Sequence, residues 1–189
     1  MLAGNLEYLM ASLPHLHFDD GGETRAKVTQ LLQQYAGPLG NQKSVPEILD
    51  AEARPFLDNG DHETLRALEL STLHQGRFRD HQNPIVAQFS GFLLQMRQQL
   101  RQLRLQRRGQ DDGSGQRKTH LPLTPGNPLE EEVQLLRLQW QKVEELCAGH
   151  YANFSALVGY KIKLLLLLRW WSFDADKGLE LFDQATKKD

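Results

Sequence analysis

The chain contains one cysteine, Cys147, among its 189 residues. A single cysteine cannot form a disulfide within the chain, and it cannot assemble a thiolate metal cage. A disulfide-stabilised secreted fold and a zinc-finger type of site are therefore excluded for one copy of the chain. A reducing compartment is the expected environment.

Long uninterrupted apolar runs are also missing. The longest one, five leucines at residues 164–168, is preceded by Lys161 and Lys163 and followed by Arg169. A membrane-spanning helix needs about 20 predominantly apolar residues. Residues 1–7 lack the basic segment that begins a signal peptide. We expect a cytoplasmic protein without a span.

Neither sign of charge is in excess, because 22 basic and 24 acidic side chains give a formal charge of -2. The whole chain should not be attracted to nucleic acid or to an anionic membrane, so any such binding must be local. The motifs Gly-x-Ser-x-Gly, Gly-x-x-x-x-Gly-Lys and Gly-x-Gly-x-x-Gly are absent. Cys147 is expected to be a small buried apolar residue. We predict no enzyme, cofactor or metal.

Helical patterns fill the first region of the chain, residues 1–82. Sustained alternation of β-branched residues is absent, which argues against a sheet. Prolines and glycines separate four predicted short helices. Ser44 is expected to cap the third, and Asp61 the fourth after an Asn59-Gly60 turn. The predicted helices cover residues 5–13, 23–35, 46–54 and 62–70.

Two long helices are predicted in the second region, residues 83–189. Each begins with an Asn-Pro pair, at Asn83 and at Asn127, and each carries apolar residues at spacings of three and four. A polar, glycine-rich loop at 109–126 separates them and is expected to be the most mobile segment. We predict an all-α helical bundle, one compact unit, with a protruding antiparallel pair of long helices.

The leucine run predicts a packing element. Leucines at five consecutive helical positions point all the way round the helix and need neighbours on every side, whereas Lys161, Lys163 and Arg169 should prevent deep burial of its ends. Other helices or a partner protein could supply those neighbours. Trp170 and Trp171, which follow directly, are predicted partner-binding residues.

Four arginines form what we call the arginine strip: Arg97, Arg101, Arg104 and Arg108. Their spacings of four, three and four place them beside the apolar seam of the first long helix. Ion pairing with glutamates 130–132 of the second long helix is one interpretation, and a protein partner is another. Nucleic-acid binding is a weaker alternative, because no aromatic residue for base stacking lies in the same stretch.

A second cluster, His15, His17, Asp19 and Asp20, offers an alternative function. In an extended segment alternate side chains share a face, so two imidazoles and two carboxylates could reach one cation. A helical metal-binding enzyme or regulator would use this group. The competing interpretation is a polar loop in which Asp19 or Asp20 caps the helix that starts near Glu23.

Several short stretches resemble a small uncharacterised bacterial family that is encoded among the genes of V/A-type rotary ATPases. The opening of the chain has the aromatic-leucine and Leu-Pro-x-Leu pattern of that family. Further similar stretches lie around Asn59 and towards the end of the sequence. The stretches are 6–16 (LEYLMASLPHL), 56–59 (FLDN) with 63–65 (ETL), 154–160 (FSALVGY), 164–173 (LLLLLRWWSF) and 178–182 (GLELF).

The resemblance implies a non-catalytic subunit or accessory protein of such an ATPase. The family's genes lie where the gene for the d-type subunit of the central stalk is otherwise expected. Proteins of that kind are all-helical and link the rotor shaft to the membrane ring during proton or sodium transport. The implied partners are the shaft or the rotor ring. The implied location is cytoplasmic and peripheral to the inner membrane, with membrane association through partners only.

Overall fold

The computed structural model describes residues 6–35, 43–107 and 121–173. These ranges form eight α-helices and no strand, which confirms the all-α prediction. A 3-10 turn at Arg54–Phe56 follows the third helix. The helices are α1 (Leu6–Ser12), α2 (Gly22–Tyr35), α3 (Val45–Ala53), α4 (Asn59–Ala67), α5 (Gly76–Arg79), α6 (Pro84–Arg107), α7 (Pro128–Cys147) and α8 (Phe154–Trp171).

The short helices largely begin where local chemistry predicts. Ser44 and Glu47 form a capping box at α3, as the Ser44 cap predicted. The predicted Asp61 cap of α4 is wrong. Asp58 Oδ1 accepts a hydrogen bond from the Asp61 backbone N–H at 2.8 Å, so Asn59 and Gly60 form the first helical turn. Asp58 and Asp61 are both of a residue type that caps helices, and Asp58 is the cap of α4.

Helix α5 was not predicted. It spans four residues, too few to show an apolar period. Its Phe78 is buried, and the helix packs against α6. The burial of Phe78 is a tertiary contact, which no local sequence pattern indicates.

Both long helices start at the predicted Asn-Pro pairs. Asn83 Oδ1 accepts from the backbone N–H groups of Ile85 and Val86 at 3.0 and 3.3 Å. Asn127 and Glu130 form a capping box at α7. The predicted apolar stripes are mostly buried, although Leu129 at the start of α7 is half-exposed. The buried stripe residues are Val86, Phe89, Leu93 and Met96 on α6, and Leu136, Trp140 and Val143 on α7.

Helices α6 and α7 contact each other and run antiparallel. The middle of α6 faces the C-terminal half of α7, where Phe92 and Leu138 line one groove. At the other end Arg107 of α6 is ion-paired with Glu131 of α7 at 2.7 Å. Protrusion of this pair stays a prediction. Residues 109–120 of the predicted loop lie outside the described residues, so its mobility stays a prediction.

One apolar core includes side chains from both regions of the chain. Helix α8 crosses it and contacts α3, α4, α6 and α7. Of the five leucines, Leu164, Leu166 and Leu167 are buried, and the other two are half-buried. Neighbouring helices therefore provide many of the packing contacts that the five leucines need. Within the described ranges no helix combines the length and apolarity that crossing a bilayer requires.

Candidate functional site

The second half of α6 presents a basic, partly apolar surface. Leu100 still packs against the edge of the core, and the last fully buried residue of α6 is Met96. Beyond it the arginines are exposed and the leucines are half-buried. We call this the α6 surface and define it by five residues that line one shallow groove: Arg97, Leu100, Arg101, Arg104 and Leu105. Three of the four arginines of the predicted strip thus lie together, and Arg108 lies outside the described residues.

Carboxylates within residues 6–35, 43–107 and 121–173 make no ion pair with Arg97, Arg101 or Arg104. The predicted pairing of the strip with glutamates 130–132 is wrong for these three residues. Glu130 caps α7, Glu131 pairs with Arg107, and Glu132 lies 3.7 Å from Arg169. The ends of the two helices do meet, but the strip faces elsewhere.

His74 is close enough to Arg97 of the α6 surface for the arginine charge to affect its pKa. Burial lowers the pKa of His74, and the positive charge of Arg97 lowers it further. Both causes disfavour the charged imidazolium form of His74. The positive charge of this surface therefore comes from its arginines.

The two predicted tryptophans make contacts within the chain. Trp170 stacks on Phe18 with ring centroids 4.4 Å apart, and the indole N–H of Trp171 donates to the Asp19 carbonyl at 3.0 Å. Tyr160 of the same helix donates its hydroxyl hydrogen bond to the Pro14 carbonyl at 2.9 Å. Helix α8 thus holds the segment between α1 and α2. Partner binding by Trp170 and Trp171 stays a prediction.

The four residues of the cluster, His15, His17, Asp19 and Asp20, contact different nearby groups. His15 Nδ1 and His17 Nε2 lie 3.0 Å apart, whereas Asp20 pairs with Arg25. Asp19 accepts from the Gly21 N–H and the Thr24 hydroxyl, and the Thr24 bond is the main reason that the pKa of Asp19 is lowered. This matches the interpretation of a loop that leads into α2. Across the described part of the chain, no three His, Cys, Asp or Glu side chains are placed to hold a metal ion.

A buried ion pair connects α3 with α8, and sequence reasoning missed it. Lys161, predicted to resist burial, is 1% exposed, so that prediction is wrong. Its ammonium donates to both Asp50 carboxylate oxygens, at 2.6 and 2.8 Å, and to the Leu65 carbonyl of α4 at 2.7 Å. Burial lowers the pKa of Lys161, and the Asp50 carboxylate opposes this shift. The only sequence signal is a lysine surrounded by apolar residues in α8.

Cys147 packs against the backbone of α8. The neighbouring position, Gly159, has no side chain, and a Cβ placed there would overlap the Cys147 sulfur. Burial raises the pKa of the Cys147 thiol, with Lys163 opposing the shift. Cys147 is half-buried rather than fully buried as the sequence predicted, and its side chain contributes to the packing of α7 on α8.

No protein-family model, no curated protein and no solved structure matches this chain. The α6 surface is therefore the structural feature from which a binding role is proposed, and the sequence resemblance supplies the candidate partner.

Proposed function

We propose that this chain is a non-catalytic subunit or accessory protein of a bacterial V/A-type ATPase, similar in role to the d-type subunit of the central stalk. In this role it links the rotor shaft to the membrane ring during proton or sodium transport. One observation carries the proposal. The α6 surface combines three exposed arginines, without ion pairs among the described residues, with two half-buried leucines.

The chemistry of the α6 surface fits an acidic amphipathic helix. Arginines at spacings of four and three follow one helical face, so a partner helix can meet all three with carboxylates of similar spacing. Exposed ion pairs contribute only about 0 to 1 kcal/mol each. Charge would therefore set orientation and association rate, while contacts to Leu100 and Leu105 contribute affinity.

The resemblance described above supplies the identity of the partner. It implies a place where the d-type stalk protein otherwise receives the central shaft and rests on the rotor ring. Under this proposal the chain lies at the cytoplasmic side of the inner membrane and reaches it only through other ATPase proteins. The shaft or the ring then provides the acidic helix.

The test is recovery of ATPase proteins from native membranes with the tagged, full-length chain. Mass spectrometry should identify shaft or ring proteins with the wild-type chain. Recovery should drop for Arg97→Gln/Arg101→Gln/Arg104→Gln. A matched control, Arg66→Gln/Arg77→Gln/Arg79→Gln, removes the same charge from exposed arginines of α4 and α5 and should retain recovery. Absence of every ATPase protein from the wild-type sample would overturn the proposal.

A further inference from the structure

We propose that residues 174–189 of this chain dock on its own α6 surface and compete there with the partner. The competition rests on the proposed function, whereas the docking does not. The segment is acidic and apolar in its first ten residues, which contain four carboxylates and one lysine. The four are Asp174, Asp176, Glu180 and Asp183, and the apolar residues among them are Leu179, Leu181 and Phe182.

Helix α8, which precedes the segment in the chain, ends at the same end of the bundle as α6. Arg169, near the C-terminal end of α8, is 3.7 Å from Glu132 at the start of α7. The next residue, Glu131, is paired with Arg107 at the C-terminal end of α6. These two ion pairs bring the ends of α8 and α6 to the same end of α7. Phe173, the last described residue, therefore follows a helix that ends at the same end of the bundle as α6.

The carboxylate spacing suits the arginine spacing. Asp176, Glu180 and Asp183 are separated by four and three positions, as are Arg97, Arg101 and Arg104. Seven helical steps rise about 10.5 Å, so each set covers the same length if the segment is helical. Running back along α6, a helical segment would place Asp176 near Arg104 and Asp183 near Arg97. In this direction the two spacings occur in opposite order, so Glu180 is offset from Arg101 by one residue, about 1.5 Å. The charges are complementary in sign and number.

Disulfide trapping in the isolated full-length chain tests the docking. In a Cys147→Ala background, Arg101→Cys/Glu180→Cys should cross-link within one chain. The control Arg79→Cys/Glu180→Cys places the first cysteine on α5, and it should cross-link about tenfold more slowly. Adding Asp176→Lys and Asp183→Lys to the first pair should remove the difference. Equal rates for the two pairs would overturn the proposal.

Two further measurements test whether the docking is intramolecular and whether it competes with the partner. Mixing the two single-cysteine chains, Arg101→Cys and Glu180→Cys, should give no cross-link, because an intermolecular product means docking on a second copy and contradicts this proposal. Asp176→Lys/Glu180→Lys/Asp183→Lys should raise partner recovery. The trapping experiment contains no partner, so docking is measured even where the proposed ATPase role fails. Trapping without competition would reject the regulatory part alone.

Discussion

The ammonium of Lys161 lies 2.6 and 2.8 Å from the two carboxylate oxygens of Asp50, and both groups are buried between α3, α4 and α8. The same ammonium reaches the Leu65 carbonyl. A buried lysine requires such partners, because leaving a charge unpaired in the interior is costly. This pair connects the two regions of the chain and makes their packing sensitive to either residue.

Removing one member of this pair should destabilise the fold strongly. Asp50→Asn leaves a buried ammonium without its counter-charge and should lower the free energy of unfolding by about 3 to 5 kcal/mol. The double variant Asp50→Leu/Lys161→Met removes both charges and should recover most of that loss. Urea unfolding monitored by circular dichroism measures both. Glu144→Gln, which breaks the exposed Lys163 pair on the same helix, should cost no more than about 1 kcal/mol. A loss that small for Asp50→Asn would contradict the assignment.

Gly159 should be required for the close approach of α7 to α8. Gly159→Ala adds a methyl group that overlaps the Cys147 sulfur and should cost about 1 to 3 kcal/mol of stability. Adding Cys147→Ala removes the sulfur and should restore stability. Gly91→Ala is the matched control in α6, where open space surrounds the added Cβ, and it should stabilise by about 0.5 to 1 kcal/mol. Thermal unfolding of these three variants and of Cys147→Ala alone measures the effects, and additive effects at 147 and 159 would refute the contact.

The Cys147 thiol should titrate above its ordinary pKa of 9.0, because burial disfavours the thiolate. The pH midpoint of its reaction with Ellman's reagent should therefore be higher in the native chain than in guanidinium. The unfolded chain loses this proton first, so the group makes folding less favourable as the pH rises past 9.0. Equal midpoints in the two states would show that the thiol is not desolvated.

Two hydrogen bonds from α8 should order the segment between α1 and α2. Tyr160→Phe and Trp171→Phe each remove one donor to a backbone carbonyl and should cost about 0.5 to 1.5 kcal/mol. Amide hydrogen exchange of residues 14–21 should accelerate in both variants and most in the double variant. The exchange of α6 residues serves as the internal control. Unchanged exchange at 14–21 would mean that the segment is held by other contacts.

Helix starts were predictable from sequence because capping is local chemistry. The Asn-Pro pairs at Asn83 and Asn127 contain both the cap and the first helical residue, so no distant contact is needed. The exposure of Arg97 and Arg101 was also predictable, because their spacing places them beside the apolar seam of α6. Features that depend on the local sequence were therefore predicted correctly for most helices.

Long-range packing could not be predicted in this way. The partner of Lys161 lies 111 residues away, and nothing near Lys161 indicates a carboxylate. The intramolecular contacts of Trp170 and Trp171 depend on where the segment after α1 packs, which is a tertiary property. The pairing of Glu131 with Arg107 rather than with the arginine strip depends on the rotation of α6 about its axis. Each of these requires the folded structure.

The most direct test of the central claim is a binding titration between the purified chain and the purified central shaft of the ATPase. The proposed function predicts saturable binding that weakens as salt is raised and that is lost in Arg97→Glu/Arg101→Glu/Arg104→Glu. The matched variant Arg66→Glu/Arg77→Glu/Arg79→Glu should bind as the wild type does. The same titration against the rotor ring identifies which of the two assemblies provides the acidic helix. Absence of binding to both, or equal binding by the two charge-reversed variants, would contradict the assignment of the α6 surface.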